Sequence, residues 1–125
     1  MKAKKLDPKI KKVWLKALRS GEYKQTEAFL CVEKKEGEPE FCCLGVLCEE
    51  VGDGEWRFKK GNKNECLPPH WTYSDPGRKI SFASFPPPAL MRRVGLDIRH
   101  AQELTNRNDE GWSFEEIADY IEENL

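Results

Sequence analysis

The chain has 125 residues, a net charge of −1, one residue in three charged, and five cysteines. That length suits one domain, 1–125, with residues 1–6 expected to be flexible. No stretch approaches the ~20 apolar residues of a membrane helix, and the basic segment Met1 to Lys12 lacks the apolar centre of a signal peptide. Five thiols cannot all pair, so the expectation is a cytoplasmic protein with reduced cysteines and no membrane contact.

The first helix is predicted from Asp7 and Pro8, a capping residue followed by proline at the first helical position. Ile10, Val13, Trp14, Ala17 and Leu18 recur at helical spacing and form its buried stripe. Glu27 to Glu33 reads as a strand, and residues 36–39 as a turn. From Phe41 to Cys48 the chain reads Phe-Cys-Cys-Leu-Gly-Val-Leu-Cys, apolar on every side of a helix, which marks a buried helix. Gly45 would cost that helix ~1 kcal/mol relative to alanine. Close approach by another backbone is the expected compensation.

Glu55 to Lys59 reads as a short strand, Cys66 to Gly77 as a loop punctuated by Pro68, Pro69 and Asp75-Pro76-Gly77, and Lys79 to Phe85 as an alternating strand. Helices are predicted from Pro88 to Val94, from Ile98 to Asn106, and after Ser113. There Ser113 and Glu116 form a capping box ahead of the stripe Phe114, Ile117, Ala118, Ile121 and Leu125. The elements sum to an α+β domain, four or five helices around a small antiparallel sheet.

Charge is unevenly spread. Nine Lys or Arg face only Asp7 and Glu22 through Lys24, whereas eight Asp or Glu face only Arg107 from Ala101 onward. Two solvated helix faces of opposite sign, packed near each other, account for this. The sharper reading makes Lys12 and Lys16 a surface for an anionic partner.

Three stretches have a familiar order: Trp14-Leu-Lys-Ala-Leu-Arg-Ser-Gly-Glu-Tyr-Lys-Gln25, the run Phe41 to Cys48, and Leu104 to Asp109 followed by Gly111-Trp-Ser-Phe-Glu-Glu-Ile-Ala-Asp-Tyr-Ile-Glu122. Together they resemble a family of small, uncharacterised proteins common in bacteriophage and prophage genomes. The resemblance implies a viral origin and supplies no activity.

Catalytic chemistry has thin support. Cys43, Cys48, Cys66 and His70 write down a zinc set, but structural sites use ligands two to four residues apart on turns. Cys43 and Cys48 lie about 500° apart around a helix, so no metal and no cofactor is expected. A nucleophile, Cys42 or Cys43 in the first turn of the helix, would need His70 as base and Gln25 as oxyanion donor. The competing reading makes every cysteine of the run core. Phosphate-loop and serine-elbow motifs are absent.

Nucleic-acid binding through Trp56, Arg57, Phe58, Lys59, Lys60 and Lys63 is conceivable and is disfavoured by the near-neutral net charge. Asn106, Asn108, Asp109 and Gly111 form a polar turn whose plain reading is a C-cap. It is also a candidate ligand site with Tyr23 and Gln25, and the loop around Trp71 is another. The leading expectation is a phage-type binding protein that counteracts a host defence system by engaging a host protein or a small anionic signalling molecule. The alternative is a cysteine-dependent hydrolase or transferase.

Overall fold

The computed structural model describes residues 6–33 and 38–125. Helix α1 spans Pro8–Arg19, with the Asp7 carboxylate accepting from Lys9 N at 2.8 Å. Trp14, Ala17 and Leu18 are buried as predicted, whereas Val13 is 41% exposed. Residues 1–5 lie outside the described segment. Leu6, expected to be flexible with them, is buried, and the next amide, Asp7 N, bonds Val94 O at 2.9 Å.

Helix α2, Cys43–Val51, is the centre of the core, with every residue from Cys43 to Cys48 buried. Its apolar surface is covered by α1 and α4 and, through Phe41, by the sheet. The compensation expected at Gly45 is present. A Cβ built there would fall inside the van der Waals shell of the Leu30 carbonyl, which itself accepts from Cys42 N at 3.1 Å. Trp14 Nε1 donates to Cys43 O at 2.9 Å and ties α1 to the same turn.

Four antiparallel strands, β1 (Cys31–Glu33), β2 (Pro39–Phe41), β3 (Glu55–Lys59) and β4 (His70–Ser74), form one sheet in the order β2-β1-β4-β3. Three expectations need correction. Only the last three residues of the 27–33 segment are strand. Ala28 instead adopts φ 72°, with its amide held by Asp109 Oδ1 at 2.9 Å and its carbonyl by Ser84 Oγ at 2.8 Å.

The predicted loop 66–77 contains β4, a central strand. Its prolines and Asp75-Pro76-Gly77 bracket the strand, while Trp71, Thr72 and Tyr73 have strand-forming side chains. Residues 79–85 form no strand. They make a strap that meets the sheet through the reciprocal Phe82–Tyr73 pair, both bonds 2.8 Å, and bonds Leu30 N through Ala83 O at 2.6 Å. Of the turn predicted at 36–39, residues 36 and 37 lie outside the described segments, and Pro39 already belongs to β2.

Helices α3 (Pro88–Val94), α4 (Ile98–Asp109) and α5 (Phe114–Asn124) complete the domain. Gly95, φ 85°, closes α3, with Leu96 N returning to Met91 O at 2.9 Å. The Ser113–Glu116 capping box opens α5. Helix α5 packs on α1, and the oppositely charged faces meet: Arg19 reaches Asp119 and Glu122, each at 2.7 Å. Such exposed pairs contribute little stability.

Candidate functional site

The cysteine run is placed as core. Cys42 is the N-cap of α2 and Cys43 its first residue, 6% and 0% exposed. Burial pushes the Cys42 thiol up to about 11 against weaker opposing backbone hydrogen bonds, and it pushes Cys43 well above its ordinary value. A nucleophilic thiol needs the opposite shift.

Among the described residues no hydrogen bond joins either thiol to His70. That side chain lies on β4, with Nδ1 2.9 Å from Pro68 O and its ring against Phe29. Both amide hydrogens of Gln25 are occupied, by Asn108 Oδ1 at 3.0 Å and Trp112 O at 2.7 Å. An oxyanion would have to displace one of them. No group of three or more His, Cys, Asp or Glu among the described residues converges to hold a metal.

A thiol reagent should therefore modify Cys66, the exposed cysteine, rapidly in native protein, while Cys42, Cys43 and Cys48 react at the rate of unfolding and Cys31, at the sheet surface, reacts at an intermediate rate. Native mass spectrometry after a short pulse would show one adduct; five rapid adducts would end the core reading. The same burial sets an alkaline limit. Unfolded thiols ionise near pH 9, below the folded value of Cys42. The unfolded state sheds protons first, so this stabilisation is complete below pH 9 and lost as pH climbs through about 11.

The polar turn assembles part of its predicted set. Asn108 is 1% exposed. Its Oδ1 accepts from Cys43 N at 3.2 Å and from Gln25 Nε2, and its Nδ2 donates to Thr26 O at 2.7 Å. Gln25 Oε1 accepts from Phe114 N at 3.1 Å, and Asp109 holds Ala28. These bonds lock α2, α4, α5 and the 25–28 segment to one another, so the cluster is a latch.

Asn106 stays exposed beside Gln102. Tyr23 is directed elsewhere: its hydroxyl donates to Glu50 Oε2 and its ring meets Phe41 edge-on at 5.1 Å. Lys12 and Lys16 are exposed on α1. Arg107, which sequence reasoning passed over, lies over the rings of Trp112 and Tyr120, 4.5 and 4.1 Å from their centroids.

Two depressions lie against the sheet. The first is a groove of about 240 Å³ between Glu49 of α2 and one sheet face, lined by Phe41, Trp56, Trp71, Cys31 and Glu33. Strand register explains the convergence. Cys31 stands opposite both Phe41 and Trp71, and Trp71 opposite Phe58, and alternate residues of each strand share a face.

Trp56 packs edge-on against Phe41 at 5.9 Å and Tyr73 at 4.9 Å, and its Nε1 donates to Glu49 Oε1 at 2.9 Å. Among the described residues the Glu33 carboxylate forms no ion pair or hydrogen bond. The neighbouring carboxylates of Glu49 and Glu33 add to burial in raising the Cys31 thiol to about 12. The second depression, on the other sheet face, is a crevice of about 540 Å³ lined by Lys59, Lys60, Leu67, His70, Thr72 and Ser81.

Trp71, expected in a loop, lines the aromatic groove from strand β4. Sequence reasoning does not join it to Phe41, Trp56, Glu33 and Glu49, which line the same groove. The spacings Trp56-x-Phe58 and Trp71-x-Tyr73, one residue between rings in each of two strands, were the available signal.

These features define a one-domain α+β protein with depressions on both faces of its sheet. The chain belongs to a family described as a domain of unknown function, DUF8296, whose model matches residues 6–125. No curated protein and no solved structure shows a significant match to the chain. Among the described residues no helix is long and apolar enough to cross a membrane.

Proposed function

We propose that this chain is a binding protein that acts by occupancy, with the aromatic groove as its recognition site and a cationic side chain of a partner protein as occupant. The observation that carries the reading is the convergence of Phe41, Trp56 and Trp71 with the carboxylates of Glu33 and Glu49 in one groove. Aromatic faces attract ammonium and guanidinium groups by ~0.5–2 kcal/mol, and the carboxylates supply matching charge. A volume of about 240 Å³ lies below the roughly 300–1,000 Å³ of small-molecule pockets and suits one inserted side chain. The resemblance to small phage proteins supports a host protein as partner, in an accessory role against a host defence system.

The test is a titration followed on the indole NMR signals, with Nα-acetyl-arginine amide, Nα-acetyl-lysine amide and the neutral Nα-acetyl-norleucine amide as probes. The cations should shift Trp56 and Trp71, and norleucine should not. Glu49→Gln keeps an acceptor for Trp56 Nε1 and removes only charge, so it should weaken cation binding by about tenfold, a loss of ~1.4 kcal/mol. Equal shifts from norleucine, or an unchanged affinity in Glu49→Gln, would exclude a cationic occupant.

A further inference from the structure

We infer that the crevice on the opposite sheet face is a separate site for a small oxyanion that carries a neighbouring hydroxyl, the pattern of a sugar phosphate or a hydroxy acid. His70 is 7% exposed and lines the crevice. Its Nδ1 lies 2.9 Å from the Pro68 carbonyl, an acceptor only, so Nδ1 carries the proton in the neutral ring. That leaves Nε2 as an acceptor, and among the described residues it has no hydrogen-bond partner. Nε2 is open to solvent, so a ligand hydroxyl takes the place of a water as donor.

The remaining groups complement an anion. Lys59 stands directly opposite His70 in the β3–β4 register and shares its face, and Lys60 follows at the rim. The Thr72 and Ser81 hydroxyls lie 2.8 Å apart, and Thr72 Oγ1 also lies 3.3 Å from the Arg57 carbonyl; with the single Thr72 proton directed to Ser81 Oγ, the Ser81 proton turns to meet an oxyanion. Leu67 gives an apolar wall. The depression is broad and open, about 540 Å³, with room for a compact ligand beside His70 and Leu67. This site shares no lining residue with the aromatic groove, and neither proposal depends on the other.

Titration with glycerol 3-phosphate, glycerate and glycerol, read on the His70 ring and the Ser81 amide by NMR, tests it. Both anions are expected to shift these signals, the tighter of the two identifying the oxyanion, while glycerol leaves them unmoved. Lys59→Met with Lys60→Met should weaken binding at least tenfold. Ser81→Ala should weaken it several-fold without harming the fold, because the Thr72 hydroxyl keeps the Arg57 carbonyl at 3.3 Å as an acceptor. Shifts of equal size from glycerol, or full affinity in the double lysine variant, would overturn the assignment. So would a single-stranded oligonucleotide that binds wild type and Ser81→Ala alike and far more tightly than either small anion, since the surface would then be a phosphate-backbone track.

Discussion

Asn108→Leu is expected to destabilise the protein by roughly 2–6 kcal/mol. Leucine nearly matches the volume, so the loss comes from polar groups left behind. The amide of Cys43 and the carbonyl of Thr26 both bond to the Asn108 side chain, 3.2 and 2.7 Å away, at a site 1% exposed. Each buried backbone group without a partner costs about 1–3 kcal/mol, and two are stranded together. Gln25 loses one acceptor as well, although its contact with Trp112 O remains. Urea unfolding at constant m-value measures the difference. Asn106→Ala, two residues away and exposed, is the control and should fall within about 0.5 kcal/mol of wild type. If Asn108→Leu also stayed within that margin, the latch would be dispensable, and the polar turn would return as a ligand site.

Gly45→Ala pits local propensity against tertiary contact. In an isolated helix the change would stabilise by ~1 kcal/mol. Here the new methyl would collide with the carbonyl oxygen and carbon of Leu30, main-chain atoms that cannot rotate aside as a side-chain tip can. Overpacking of this kind costs about 1–3 kcal/mol, occasionally more. The expected result is a net loss of stability with an unchanged helix signal in circular dichroism. A gain would mean that the 30–31 backbone yields freely to α2, against the bonds Leu30 makes with Cys42 N and Ala83 O.

What could be read in the sequence was what is decided locally. Asp7-Pro8 and Ser113 with Glu116 mark helix starts through bonds spanning two or three residues, and both are present. The unbroken apolar surface of α2 announced its burial, and the glycine within it announced a backbone neighbour. Strand β4 was obscured because its pairing with Cys31–Val32 and with Glu55–Lys59 leaves no periodic trace in five residues flanked by prolines.

The aromatic groove was harder still. Phe41, Trp56 and Trp71 come from three strands, and only register brings them together. Gln25 is bonded to the turn at Asn106 to Asp109 through Asn108, which becomes a buried hub because α4 runs on to Asp109, beyond the predicted end at Asn106. Tyr23, adjacent in sequence to this set, is instead claimed by Glu50.

The cap of α2 has a kinetic consequence. Cys42 makes no side-chain cap bond, and the first amide of the helix finds its acceptor on a residue 65 positions later. Closing so long a loop carries an entropic penalty before any contact compensates it, and folds built on distant contacts form slowly. During synthesis the most apolar segment of the chain must therefore wait for α4 to emerge before its N-terminus is finished. Until then it is an exposed sticky segment, and assembly of this domain is expected to be a late, nearly all-or-none event.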